Sequence, residues 1–183
     1  HPQQRYIFAN GDVYDGDFQH DQACGQGVYR YRITGGGAGD CYVGSWEADR
    51  RHGRGVLRWA NGSRYEARRL FLGYWKRGAI EGKGVFDYAG GDRYRGEFRA
   101  SRKHGRGVYV WANGNSYTGA FCWGVIAGFG ELKYETSGHR YKGHWKDNRK
   151  HGVGTFWYSD GNVYHGEYFD DEIHGESYIA PSP

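Results

Sequence analysis

One short arrangement recurs along the chain: Tyr42-Val43-Gly44-Ser45-Trp46, Tyr94-Arg95-Gly96-Glu97-Phe98, Tyr117-Thr118-Gly119-Ala120-Phe121, Tyr141-Lys142-Gly143-His144-Trp145 and Tyr164-His165-Gly166-Glu167-Tyr168. Eleven residues after each opening Tyr comes a Gly, usually with a second two positions on, as in Gly53/Gly55, Gly105/Gly107, Gly128/Gly130 and Gly152/Gly154. An apolar pair follows (Leu57/Trp59, Tyr109/Trp111, Leu132/Tyr134, Phe156/Tyr158), then Asn61-Gly62, Asn113-Gly114, Ser137-Gly138 or Asp160-Gly161. Two looser units open at Tyr14 and at Phe71, and Tyr6–Gly11 repeats Tyr109–Gly114 as the back half of a unit. A repeat this short cannot bury its own apolar face, so the fold must be an array of stacked units.

Within each half-unit the aromatics and glycines alternate with a period of two, which is the period of a β-strand. Asn-Gly and Asp-Gly between such runs are hairpin signals, because type I′ turns need positive φ at both central residues. Each unit therefore reads as strand, loop of about six residues, strand and tight turn. The fold expected is all-β: an elongated, single-layer antiparallel meander of about seven tandem hairpins plus a partial one. The array should run over 6–178, with units opening near 14, 42, 71, 94, 117, 141 and 164, a partial unit at 6–13, and flanking segments 1–5 and 179–183. At about 4.8 Å between strands, a unit advances the sheet by roughly 9–10 Å. Rings and glycines should share one face, a bare Gly backbone leaving room for a neighbouring ring. Val, Arg, Glu, Lys and Ser fall on the opposite, water-tolerant face. Two insertions interrupt the pattern, Ile33–Cys41 and Tyr65–Leu70; the Gly-rich first one lacks the Lys-Ser/Thr of a phosphate loop.

Composition agrees with an aromatic array. The chain has 33 Gly, 17 Tyr and 7 Trp against 3 Pro and no Met, and 18% aromatic content is foreign to disordered chains. A net charge of +4 allows contact with an anionic surface without demanding it. Three separated cysteines (Cys24, Cys41, Cys122) argue against a disulfide framework and fit a reducing compartment. No apolar run approaches the roughly 18 residues of a membrane helix. The start at His1, without an initiator Met, fits a fragment or processed chain.

The pattern Tyr-x-Gly-x-(Phe/Trp) followed by His-Gly-x-Gly-x-aromatic resembles the MORN repeat family, best at Tyr42–Trp59, Tyr94–Trp111 and Tyr141–Tyr158 and over nearly the whole chain. The resemblance implies the hairpin ribbon. For function it implies several settings: cytoskeletal and axonemal scaffolds, junctional membrane proteins, adaptors that hold a partner helix in the ribbon's groove, and appendages of lipid kinases or methyltransferases. It supplies no catalytic residues.

The residues themselves give no catalytic, cofactor or metal site. There is no Gly-x-Ser-x-Gly, His-Glu-x-x-His, paired Cys-x-x-Cys or Walker loop. His52, His104 and His151 recur in alternate units, near 20 Å apart by strand spacing, too far to share a zinc ion. Two constellations remain. Trp59, Trp111, Tyr134 and Tyr158, with the strand-opening Tyr42, Tyr94, Tyr117 and Tyr141, are candidates for a partner-binding aromatic groove, beside their plain reading as core. Arg50-Arg51, Arg102-Lys103 and Arg149-Lys150 precede His-Gly and should form a basic loop edge, facing an acidic protein or anionic lipid headgroups. Nucleic acid is not an expected partner, because the rings look committed to the sheet. Exposed sheet ends leave a homodimer open. The expected function is a non-catalytic interaction scaffold or assembly subunit of a cytoskeletal or ciliary/flagellar axonemal structure in the cytoplasm. The alternatives are a peripheral module on anionic membranes, or the targeting array of a larger enzyme.

Overall fold

The computed structural model describes residues 3–32, 39–59 and 69–181, and the side chains of these except 69–70 and 175–181. The Gly-rich insertion at 33–38, the insertion at 65–68 and the Asn61-Gly62 turn lie outside the described residues. Among the described residues, fifteen antiparallel strands in chain order form one open sheet, with no helix. They divide into two compact units, residues 1–91 with 98–101, and residues 92–97 with 102–183.

The first unit contains β1 (Gln3–Ile7), β2 (Val13–Gln19), β3 (Gln22–Arg30), β4 (Cys41–Glu47), β5 (Arg50–Trp59), β6 (Arg69–Lys76), β7 (Ala79–Asp87) and the last residues of β8 (Arg93–Arg99). The second contains the start of β8, then β9 (Arg102–Val110), β10 (Ser116–Cys122), β11 (Val125–Lys133), β12 (Arg140–Lys146), β13 (Arg149–Trp157), β14 (Asn162–Phe169) and β15 (Glu172–Pro181).

Register is set by paired glycines. Gly16 faces Gly27, Gly27 faces Gly44, Gly44 faces Gly55, Gly55 faces Gly73 and Gly73 faces Gly84 in the first unit. In the second, Gly107, Gly119, Gly130, Gly143, Gly154 and Gly166 continue in the same way. In the six hairpins that open at Tyr14, Tyr42, Phe71, Tyr94, Tyr117 and Tyr141, the opening ring lies flat over its own Gly pair. A Cβ added at Gly55 would sit 2.3 Å from the Tyr42 hydroxyl, and one at Gly154 would sit 2.3 Å from that of Tyr141. No side chain but hydrogen fits under these rings.

The tyrosine hydroxyl is satisfied by the backbone three residues on: Tyr42 donates to Ser45 O at 3.0 Å, Tyr94 to Glu97 O at 2.9 Å and Tyr141 to His144 O at 3.0 Å. Edge-on rings then link neighbouring hairpins. Tyr42 meets Trp46 at 5.2 Å and Trp75 at 5.4 Å; Tyr141 meets Trp145 at 5.1 Å and Tyr168 at 5.0 Å. Pairs of this geometry contribute about 0.5–1.5 kcal/mol each beyond burial. The seven opening rings, Tyr14, Tyr42, Phe71, Tyr94, Tyr117, Tyr141 and Tyr164, are the most deeply buried large side chains described.

The turns differ from the expectation. No six-residue loop forms. Strands within a unit are joined by two-residue turns with both φ values positive, at His20-Asp21, Ala48-Asp49, Ala100-Ser101, Asp147-Asn148 and Asp170-Asp171. These, rather than Asn10-Gly11 and Asn113-Gly114, have the type I′ conformation. The residues expected in the loop are instead strand plus bulge: Trp46 pairs with Arg51 and Gly44 with Gly55, with His52, Gly53 and Arg54 bulging between. At Asn10-Gly11 only the Gly is left-handed (φ 87°), and Gly11 N donates to Phe8 O at 2.8 Å. Asn-Gly here closes a type I turn with a Gly bulge.

Four of these turns also clamp the preceding hairpin. Asp49 N donates to Ala23 O at 3.1 Å while its carboxylate accepts from Ala23 N at 2.8 Å. Asn148 holds Ile126 in the same two-bond manner, and Asp171 holds Lys150.

Candidate functional site

The strand-opening tyrosines belong to the floor of the aromatic face, not to its surface. Tyr42, Tyr94, Tyr117 and Tyr141 are 0% exposed, so a partner on this face cannot touch them. Burial pushes the Tyr42 and Tyr117 hydroxyls up to about 12. These four leave the set of candidate contact residues, because their rings are consumed by the glycine cradle.

The other four candidates lie above that floor. Trp59, Trp111, Tyr134 and Tyr158 share the face of the opening rings and are half-buried. They stand in a row with aromatics not singled out from the sequence. Trp59 meets Phe86 at 5.4 Å and Phe86 meets Tyr88 at 4.4 Å in the first unit. In the second, Tyr109 meets Trp111 at 4.9 Å, and Phe156 meets Tyr134 at 6.1 Å and Tyr158 at 4.7 Å. The signal for the extra residues was present: they occupy the same two positions after the second Gly as Leu57/Trp59. Desolvation raises the Tyr134 hydroxyl pKa, so it stays a neutral donor.

The basic pairs split. Arg50, Arg102 and Arg149 are exposed on the first residue of their strands. Arg149 reaches Asp170 at 3.4 Å. Arg51, Lys103 and Lys150, one residue on, turn to the aromatic face. Arg51 lies 4.3 Å from the Trp75 ring centre. Lys103 Nζ lies 4.4 Å from Tyr109 and 5.5 Å from Phe121, and Lys150 Nζ lies 5.5 Å from Phe156 and from Tyr168. Desolvation lowers both lysine pKa values, against a smaller upward pull from Asp92 on Lys103 and Asp171 on Lys150. The expected basic loop edge is therefore neither a loop nor uniformly exposed. Half its charge is set among rings, where it enriches the face with cations held by π-clouds.

The histidines sit on the bulges. His52 Nδ1 lies 2.8 Å from Glu47 Oε2, His104 stacks on Trp123 at 5.1 Å and His151 on Phe169 at 5.2 Å. Each packs on the turn side of a hairpin. Among the described residues no three His, Cys, Asp or Glu side chains gather into a metal-binding group.

What the geometry offers, in each unit, is a surface of half-exposed aromatics with embedded cations over a buried floor. Among curated proteins no match to the chain is found. The MORN repeat model matches residues 14–33, 42–64, 71–93, 94–116, 141–163 and 164–176. It passes over 117–140, yet β10 and β11 there form the same hairpin, with Tyr117 over Gly119 and Gly130. MORN repeats serve protein or membrane interaction and are typically non-catalytic. With its Tyr-Gly cradles, paired glycines and matched segments over well over half its length, the chain belongs to the MORN repeat family.

Proposed function

We propose that this chain is a non-catalytic scaffold that holds a protein partner on its aromatic face, as an assembly subunit of a cytoskeletal or axonemal structure. The half-exposed rings of each unit, Trp59, Phe86 and Tyr88 in one and Tyr109, Trp111, Tyr134, Phe156 and Tyr158 in the other, carry this reading. Large amphipathic rings over a buried aromatic base supply contact area for a partner. Cations at Arg51, Lys103 and Lys150 suit a partner that brings carboxylates among its apolar residues. Anionic lipid is the weaker reading, because these three cations are drawn into rings rather than offered to headgroups. The cytoskeletal setting rests on kinship with other arrays.

Detergent extraction of the tagged full chain from its native cells tests the proposal. Retention in the insoluble cytoskeleton, lost in a Trp111→Ser/Tyr134→Ser variant, supports it. Release of the unmodified chain with the lipids sinks it.

A further inference from the structure

The face opposite the tyrosines differs between the two units. In the first unit, Val28 pairs with Val43, Val43 with Val56, Val56 with Leu72 and Leu72 with Val85. Directly paired residues share a face, so these five aliphatic side chains form one straight row across β3 to β7. Val43 is 42% exposed and Leu72 52% exposed, and the other three are half-buried. In the second unit the same positions read Val108, Thr118, Glu131, Lys142, Thr155 and His165. From β10 to β14 these solvent-facing positions are polar, whereas from β3 to β7 they are apolar without interruption. The Tyr-Gly core does not need them apolar, since the second unit builds that core with Thr, Glu and Lys in their place.

Cations flank the row. Arg30 and Arg58 belong to the next row on one side, and Arg54 lies on the other with its Nε donating to the Tyr74 hydroxyl at 3.0 Å. Lys83, exposed, occupies the repeat position of Arg54. Of the carboxylates on this face, Asp15 pairs with Val28 at one end of the row and binds Arg30, Asp87 lies opposite Leu70 in the row of Arg58, and Glu81 lies opposite Tyr74. Four strand spacings make the row about 19 Å long, which matches the apolar stripe of a helix of roughly 13 residues.

We infer that the back face of the first unit is a second docking surface, and that its occupant is an amphipathic protein helix with acidic residues on both sides of its apolar stripe. Charge complementarity selects it: apolar centre against apolar row, carboxylates against Arg58 on one side and Arg54 and Lys83 on the other. A bilayer is disfavoured because the row is made mostly of short valines in mid-sheet, beneath the reach of the flanking side chains. This surface is independent of the aromatic face, so the chain would hold two partners at once.

The test uses the full chain and a synthetic amphipathic helix of about 14 residues, with leucines along one face and glutamates on either side. Titration by fluorescence anisotropy should show saturable binding, weakened about tenfold or more by Leu72→Asp and by Val43→Asp, as for central interface residues. Replacing the peptide's glutamates with lysines should abolish binding, and Trp111→Ser/Tyr134→Ser in the chain should leave it unchanged. Thermal melts of the two Asp variants within about 2 °C of the unmodified chain show that both stay folded, as solvent-facing changes should. No binding of the glutamate peptide, or equal binding by the Leu72→Asp variant, overturns the inference. So does Leu72-dependent capture by phosphatidylserine vesicles, or Leu72-dependent self-association, in the absence of peptide.

Discussion

Replacing Gly130 by Ala puts one methyl group where the fold has no room, and the cost can be worked out from the surroundings. Gly130 has no left-handed φ, so an L-residue meets no backbone strain there. Its new Cβ would lie 2.2 Å from the Tyr117 hydroxyl and 2.4 Å from the ring carbon bearing it. Tyr117 cannot step aside easily. It is 0% exposed, stacked edge-on between Phe121 at 5.3 Å and Trp145 at 5.4 Å, and its hydroxyl is tied to Ala120 O at 3.1 Å. Overpacking of this kind costs about 1–3 kcal/mol. Loss of the tyrosine's hydrogen bond adds about 1 kcal/mol. Removing a strand glycine returns about 0.5–1 kcal/mol. The net destabilisation is about 1–3.5 kcal/mol, or roughly 2–14 °C in Tm for a chain of this size. Urea and thermal unfolding of the full chain measure it. Gly90→Ala is the control, because nothing lies within 4 Å of its added Cβ and its φ is not left-handed; it should stay within about 0.5 kcal/mol of the parent. In a Tyr117→Ala background the Gly130→Ala penalty should shrink, leaving a coupling of about 1–3 kcal/mol. A Gly130→Ala chain as stable as the parent would refute the cradle as the reason for the glycines.

Further outcomes follow from other parts of the sheet. Ala48 and Ala100 hold left-handed φ values of 45° and 46°; Ala→Asn at either should stabilise by about 0.5–1 kcal/mol in denaturant titrations, since Asn tolerates that region. Asp49→Ala removes the carboxylate that accepts from Ala23 N and should cost about 1–2 kcal/mol by the same assay. Lys103→Met and Lys150→Met exchange desolvated cations for apolar isosteres, so stability should hold or rise by about 1 kcal/mol, and a salt-sensitive loss of fold would contradict their placement among rings. The pKa of Tyr42 and Tyr117, raised to about 12 in the fold, makes their contribution complete below pH 10. It is lost as pH climbs from 10 toward 12, at up to about 1.4 kcal/mol per pH unit for each, which an alkaline unfolding series reads directly.

The repeat, its strands and its opening residues were legible because Tyr, Gly and a second aromatic recur at fixed spacing, and spacing fixes register once glycines must pair. The turns were not. Asn-Gly is the stronger local signal for a type I′ turn, whereas Ala48-Asp49 and Asp170-Asp171 carry no such mark. They are driven left-handed because Glu47–Arg50 and Phe169–Glu172 pairing leaves only two residues to close each hairpin. The bulge at His52–Arg54 then changes which side chains share a face, bringing Arg51 opposite Trp46 instead of onto a loop tip. Lys103 and Lys150 follow the same geometry. The aromatic row above the floor was half visible, through Trp59, Trp111, Tyr134 and Tyr158. The opening tyrosines misled as contact candidates because a ring beside glycine looks alike whether it lines a groove or fills one. The aliphatic row of the back face was hidden for another reason. Each strand contributes one ordinary Val or Leu, and the row exists only when Val28, Val43, Val56, Leu72 and Val85 are aligned in register.

The most direct test of the scaffold reading places a photo-cross-linking phenylalanine analogue at position 134 or 158 on the aromatic row, and at 142 or 155 on the polar back of the same unit. Irradiation of the full chain in its native assembly should join the row positions to a single protein species and leave the back positions unjoined. Cross-links from 142 or 155 alone, or adducts to lipid from 134 and 158, would contradict the claim that this aromatic face holds a protein.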